Sequence, residues 1–473
     1  MHWLQFRGPN ASGIAPADAD PPIHFSADTN MLWKTEILPG WSSPCIVNDR
    51  IFLTGFDESD SLLYTFALDR ENGEVIWMDS QKPNDFRVMH PLKSYASPTV
   101  ASNGEMIYAS FPNYGLLAYD LDGKRAWEYS HETTTGYYYG GTSSPVVADS
   151  LVIVIVNSGS DPRIMALDCH TGHPAWIISA PDRPWASMSG TATPVIDGPW
   201  LILHVSQGLV AYDLLDQQPV WWLFTPTTGV GTPVIHDQMI YINTWSQGGE
   251  KKQRGEWLSF AEILDKCDAD SNGKIEQGEI SDDLVVFRRH ETPDAPMSVL
   301  LLNSNMSFNI ADTNKDKYIE EKEWNDAMAF IQVLFQDHGM VAIPLHGSGE
   351  RPVSDIKWKV NEDTPETPSA LAVSGNIFFI KDGGIVTVID QGSGKVVFKD
   401  RIGAPGTYLS SPMLAGNRIY TCSFNGRITV LSADDFTVLA HNRLKEKIGA
   451  SPVAVDDVLY VRTDKHMYAF LEK

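Results

Sequence analysis

The stretch Ser143-Ser144-Pro145-Val146-Val147-Ala148-Asp149-Ser150-Leu151-Val152-Ile153-Val154-Ile155-Val156-Asn157 is the clearest copy of a phrase that recurs along the chain. A hydroxyl residue and a proline open a short apolar run, a polar pair turns the chain, and a second apolar run follows. Proline suits the first residue of a strand, where its missing N–H removes no ladder bond. Ala148-Asp149-Ser150 reads as a hairpin turn, and Arg163 to Asp168 as a third strand. His170-Thr171-Gly172 turns again, with glycine supplying a positive φ. The outer strand ends on Trp176. One copy of the phrase thus opens one four-stranded antiparallel unit.

The phrase occurs eight times, at Pro44, Pro98, Pro145, Pro194, Pro233, Pro368, Pro412 and Pro452, with steps of 54, 47, 49, 39, 135, 44 and 40 residues. Six of the seven steps lie close to the period of a propeller blade. The spacing predicts an all-β protein, an eight-bladed β-propeller of four-stranded antiparallel blades. Third strands ending in aspartate recur at Asp69, Asp120, Asp213 and Asp390, and bulky anchors on outer strands at Trp77, Trp127, Trp221, Trp358 and Phe398. Large flat rings fill gaps between twisted sheets, so these anchors read as interblade packing. The eighth blade runs out of chain after its third strand. Asn30-Met31-Leu32-Trp33-Lys34 is the candidate for its missing outer strand, which would close the ring and remove a free edge.

The step of 135 residues is one blade plus roughly 90 others. Blade five opens at GTPVIHDQMIYINTW and resumes at Gly339 as GMVAIPL. This divides the chain into an N-terminal segment (1–29), a first part of the propeller (30–245), an insertion (246–338) and a second part (339–473). Within the insertion, WLSFAEILDKC, DLVVFRR, VLLLNSNMSFNIA and EWNDAMAFIQVLFQ read as helix-like runs.

Two acidic loops lie among those runs. Asp268, Asp270, Asn272 and Glu279 occupy positions 1, 3, 5 and 12 of a calcium loop, Lys274 offers its backbone carbonyl at position 7, and Glu276 stands at position 9. Gly273 supplies the sharp turn at position 6. The second loop repeats the set as Asp312, Asn314, Asp316, Tyr318, Glu320 and Glu323, with Lys317 in place of the glycine. A non-glycine residue at positive φ costs on the order of 1 kcal/mol, so calcium binding should be about fivefold to tenfold weaker there. Both match the EF-hand pattern, and Ile275 and Ile319 should face each other in a short β-pair. The insertion is therefore expected to be a small α-helical EF-hand pair in blade five, holding Ca²⁺ in a structural role.

Composition narrows the partners. The net charge is −24, from 60 acidic and 36 basic residues. That disfavours nucleic acid and anionic membranes, which need a basic face. No apolar run reaches the length of a transmembrane helix. The opening MHWLQFRGPNASG has no basic region followed by an apolar one, so no signal peptide is read in this chain. Cys45, Cys169, Cys267 and Cys422 are widely separated and read as buried small hydrophobes.

A ligand site is expected at the axial mouth, where connections between blades gather. Those connections carry recognition chemistry at Trp41, Arg87, His90, Tyr138, Arg183 and Trp185. An aromatic mouth with Arg and His suits a sugar, a quinone, an anionic small molecule or a protein partner.

The elements ALDRENGEVIW (67–77) and ALDCHTGHPAW (166–176), with the SSPVV strand, resemble the PQQ-like, quinoprotein/BamB-like, eight-bladed propeller superfamily. The opening WLQFRGPNASG resembles secreted planctomycete members. That resemblance implies a location outside the cytoplasm, periplasmic or secreted. It implies either a non-catalytic scaffold like BamB, or a PQQ-dependent dehydrogenase with its quinone and Ca²⁺ on the axis. Quinoprotein alcohol dehydrogenases would bring a vicinal Cys-Cys disulfide, which this chain lacks. The expected function is a calcium-binding PQQ-like propeller acting as a binding or scaffold protein; the alternative is a PQQ-dependent or carbohydrate-active enzyme.

Overall fold

The computed structural model describes residues 2–84, 86, 92–131, 143–156, 162–179, 192–205, 208–225, 227, 229–244, 258–282, 284–288, 299–302, 308, 309, 311–334 and 338–472. Eight antiparallel sheets of four strands follow one another around the chain, as the repeat predicts, and one of them gains a fifth strand. Blade one comprises Cys45–Val47, Arg50–Asp57, Leu62–Asp69 and Val75–Gln81. Blade three comprises Val146–Ala148, Leu151–Val156, Arg163–Asp168 and Pro174–Ser179. Trp176 thus sits mid-strand rather than at the strand's end.

The ring closes as expected. Met31–Glu36 pairs antiparallel with His466–Phe470 and supplies the outer strand of blade eight. Blade five also resumes where the pattern places it, with Met239–Thr244 paired to Gly339–Pro344 and then to Trp358–Val360. Between those last two strands of blade five, Gly349–Arg351 adds in parallel to the outer strand of blade four, Pro219–Phe224.

Tryptophans dock between blades. The Nε1–H of Trp33, Trp77, Trp127 and Trp358 donates to the carbonyls of Arg70, Leu121, Cys169 and Gln391 on the next blade, at 2.8–3.0 Å. Each ring lies on a glycine of that blade: Gly73, Gly123, Gly172 or Gly394. A Cβ at any of the four would stand 2.5 Å from the indole, and all four have φ between 70° and 87°. Small size and a left-handed backbone are therefore required together. Between blades six and seven, Phe398 packs instead on Phe436, a non-glycine residue at φ 61°.

A second belt runs round the inner strands. The N–H of Ser43 donates to the Thr99 hydroxyl, that of Thr99 to Ser144, and that of Ser144 to Thr193. Farther round, Thr232 donates to Ser369, Ser369 to Ser411, Ser411 to Ser451, and Ser451 back to Ser43. This belt corrects the sequence register in two blades. Cys45, Ala101 and Leu371 pair equivalently with Phe52, Tyr108 and Phe378, so Val100 and Ala370 occupy the place of Pro44. Pro98 and Pro368 stand two residues earlier. The hydroxyl, which bonds the next blade, holds the register; proline is only compatible with the position.

Between Thr244 and Gly339 the described residues form a separate small core of Phe260, Ile263, Cys267, Ile275, Ile280, Leu284, Leu302, Phe308, Ala311, Ile319 and Trp324. Helix α1 (Phe260–Cys267) is opened by a capping box between Ser259 and Glu262. Helix α2 is Glu321–Leu334, and the Trp324 indole donates to the Leu258 carbonyl at 3.1 Å. Two of the expected helical runs contain strands instead, although the second turns helical at Phe308, Asn309 and Ala311. Val285–Arg288 pairs antiparallel with Val299–Leu301. Short apolar runs rich in β-branched residues fit strand or helix by pattern, and pairing decides between them. Among the described residues no helix is long and apolar enough to cross a membrane.

Candidate functional site

The two acidic loops are built on one diagram. In the first, the Asp268 carboxylate accepts the N–H of Asn272 at 2.9 Å and of Gly273 at 3.0 Å. Glu279 reaches back to accept from Ala269 at 3.1 Å and from Glu276 at 3.3 Å. In the second, Asp312 accepts the N–H of Lys317 at 3.0 Å, and Glu323 accepts from Asn314 and Glu320, both at 3.1 Å. Backbone N–H groups thus hold the first and last carboxylates of each loop toward its centre. Asp268, Asp270 and Glu279 bring one carboxylate oxygen each within 4.8 Å of one another, and Asp312, Asp316 and Glu323 do the same.

Three like charges so close are unfavourable unless a cation joins them. The second set is the more demanding. Asp312 and Glu323 are 5% and 7% exposed, and Asp312 Oδ1 is buried with no hydrogen-bond partner. A buried carboxylate oxygen without a donor fits a metal ligand far better than a packed core. Hard oxygen donors at turn-fixed positions fit a hard divalent ion such as Ca²⁺.

The remaining loop residues divide. Asn272 and Asn314 stay inside the loops, each donating to the neighbouring Asp270 or Asp316 carboxylate and accepting a backbone N–H. Lys274 and Tyr318 lie next to the pair Ile275–Ile319, which forms as the loop spacing predicts. The Glu320 side chain turns away to the Lys274 ammonium at 2.5 Å, and hydrogen bonding to Glu320 raises that lysine's pKa. Lys274 also lies over the Tyr318 ring. Glu276 lies outside the assembled carboxylate set.

At the axial mouth only one of the six sequence candidates can be placed. Trp41 is half-buried between Phe424, with ring centroids 5.6 Å apart, and Gly449, where a Cβ would meet the indole at 2.7 Å. Its surroundings are those of packing between blades. Arg87, His90, Tyr138, Arg183 and Trp185 lie outside the described residues.

Two residues outside that candidate set influence each other electrostatically across the ring. Lys93 stands on the connection from blade one to blade two, and Glu366 on that from blade five to blade six. These connections face each other across an eight-membered ring. Withdrawal from water lowers the pKa of the Lys93 ammonium, and the Glu366 carboxylate opposes that shift. No local motif marks either residue; only ring closure brings them together. The four cysteines are buried and unpaired.

A family model described as outer membrane protein assembly factor BamB matches residues 23–186, 140–250 and 382–473, about two thirds of the chain. The chain belongs to this BamB-type family. No curated protein matches the sequence. Among solved structures, BamB from Moraxella catarrhalis is similar at 12% identity and a TM-score of 0.55, over 93% of this chain and 98% of that one. A europium-containing methanol dehydrogenase is similar at 11% identity and a TM-score of 0.58, over 99% and 98%. The quinohemoprotein alcohol dehydrogenase from Comamonas testosteroni is similar at 12% identity and a TM-score of 0.56, over 100% of this chain and 81% of that one. At such identities the likeness is one of fold, shared by BamB and by dehydrogenases alike.

Proposed function

We propose that this chain is a calcium-binding propeller of the BamB type that acts as a non-catalytic binding or scaffold protein outside the cytoplasm. In this reading residues 246–338 are an EF-hand pair inserted into blade five. The observation that carries the calcium assignment is the buried, donorless Oδ1 of Asp312 beside Asp316 and Glu323, in a loop that repeats the one at Asp268. Side chains of Asp268, Asp270, Asn272 and Glu279 would hold one ion, with the Lys274 carbonyl; Asp312, Asn314, Asp316 and Glu323 would hold the other, with the Tyr318 carbonyl. Each ion neutralises its carboxylates and fixes the ends of α1 and α2. EF-hands of ordinary affinity stay filled where calcium is near millimolar, as outside the cytoplasm. Titration calorimetry of the full chain should give two calcium ions. Asp268→Ala with Glu279→Ala should lower that to one, and an unchanged stoichiometry would refute the first site.

The desolvated Lys93 opposite Glu366 supports a second reading, since perturbed groups cluster where chemistry occurs. In that reading the axial mouth serves a PQQ-dependent or carbohydrate-active enzyme. Reconstitution with PQQ and Ca²⁺, followed by dye-linked oxidation of alcohols and sugars, separates the two. Absence of both a bound-quinone spectrum and turnover removes the quinoprotein reading.

A further inference from the structure

The two acidic loops match in their carboxylates and differ where they touch each other. Ile275 pairs with Ile319, and Glu276 with Tyr318, in the short antiparallel bridge between them. Continued by one residue, that register sets Lys274 opposite Glu320. The Lys274 ammonium lies 2.5 Å from a Glu320 carboxylate oxygen. It also stands over the Tyr318 ring, 5.4 Å from the centroid, and its charge interacts with the Asp316 carboxylate. A cation of the first loop is thus planted beside the second.

The exchange is not reciprocal. Lys274 and Tyr318 hold position 7 of their loops, and Glu276 and Glu320 hold position 9. Position 9 commonly serves the ion, often through a water. Opposite Glu276 stands Tyr318, which carries no charge, so the bridge offers Glu276 no cation. Glu320 is paired with Lys274 instead. The second loop has a stronger call on its donors than this arrangement allows. Asp312 is 5% exposed, and its Oδ1 is buried without a hydrogen-bond partner.

We propose that Lys274 is a positioning residue that keeps Glu320 out of the second loop's calcium shell, so that the first loop retains its ion and the second exchanges it. The proposal rests on the calcium assignment of both loops. Lys274 acts on the second ion in two ways. Its ammonium holds the Glu320 carboxylate, and its charge beside Asp316 repels a divalent cation. The position that Glu320 gives up falls to water, which leaves without any protein group having to move. Side chains of Lys274 and Glu320 are 40% and 46% exposed, so the effect is that of a surface ion pair and not of a buried one. Lys317 weakens the same loop through its positive φ, a route independent of the bridge.

Terbium titration of the full chain tests this. Excited tyrosine and tryptophan pass energy only over short distances. Tyr318 and Trp324 border the second loop, where the first has Lys274 and Ile280. Sensitised emission therefore reports the second loop. Lys274→Met should tighten terbium there by about fivefold, the upper scale of a surface pair, and slow its release to a chelator. Lys274→Arg keeps the pair and should behave as the wild type. In a Glu320→Gln background the gain from Lys274→Met should shrink to about twofold, the part due to charge alone. A second loop indifferent to Lys274→Met overturns the proposal. So does an equal gain in the Glu320→Gln background, which would mean that Lys274 does not act through Glu320. A wild-type second loop that takes up neither terbium nor calcium overturns the calcium assignment itself, and the proposal with it.

Discussion

The ring of blades and the small unit between Thr244 and Gly339 are held together in opposite ways. The ring uses indoles seated on glycines, hydroxyls bonded from blade to blade, and continuous apolar cores. Among the described residues the smaller unit has a core cluster of eleven buried apolar side chains and two knots of carboxylates that repel one another. Its charges look for a partner that is not protein. On the calcium reading proposed above, one chain contains a part that needs only itself and a part whose stability would be linked to an ion.

The sharpest way to break this comparison is at a blade seam. Gly172→Val places its Cβ 2.5 Å from the Trp127 ring at φ 70°. It should destabilise the ring by about 3–5 kcal/mol, the range of severe core disruption. Denaturant unfolding would show it, and a calcium response left intact would confirm that the two parts are separate.

Acid should also strike the ring first. His204 is buried in blade four, with Nδ1 2.7 Å from the Gly231 carbonyl and Nε2 3.0 Å from the Thr227 hydroxyl. Burial lowers its pKa to about 4, an effect the Gly231 hydrogen bond only partly opposes. The unfolded chain takes up this proton near pH 6.5 and the folded chain only near pH 4. Its contribution is therefore full above about pH 6.5 and lost as pH falls toward 4, amounting to about 3 kcal/mol. Chemical unfolding at pH 7 and pH 4.5 should show the loss in the wild type and a smaller one in His204→Asn; equal slopes would refute it.

Calcium should act on the other part alone. At a hundredfold excess over Kd, one bound ion stabilises by about 2.7 kcal/mol. Chelation should speed hydrogen exchange in 258–282 and 311–334 and leave blades one and eight unchanged. Uniform loss of protection would mean that the ion supports the ring as well. The smallest effect expected is at Lys317, which holds φ 75° where its counterpart Gly273 holds 77°. Lys317→Gly should relieve about 1 kcal/mol and tighten calcium binding at the second loop about fivefold. Calorimetry resolving the two sites would detect it, and a weaker second site in the variant would show that burial of Asp312 and Glu323, not backbone strain, sets the affinity.

Much of the fold was legible because its signals are local. Proline at a strand start, a turn pair and an aspartate before glycine are each dictated by a few residues, and their period carries the blade count. The ring closure by Met31–Glu36 followed from counting strands, and the carboxylate positions of both loops followed from spacing along a single turn-rich segment. Other features had no local signal. Val285–Arg288 and Val299–Leu301 read as helix-like by pattern and are strands because they pair with each other. The register of blades two and six misled because proline merely permits a strand start, whereas the hydroxyls of Thr99 and Ser369 bond across the belt.

The sequence by itself thus determined the number of blades, the place of the interruption and the oxygen donors that converge within each acidic loop, since all of these depend on neighbours along the chain. Only the tertiary structure decided what faces what across the ring. It set Lys93 opposite Glu366, buried Asp312 without a donor, and enclosed Arg7 of an ordinary-looking FRG tripeptide. Whether a charge is solvated or stranded depends on closure of the whole ring, and no window of sequence contains that information.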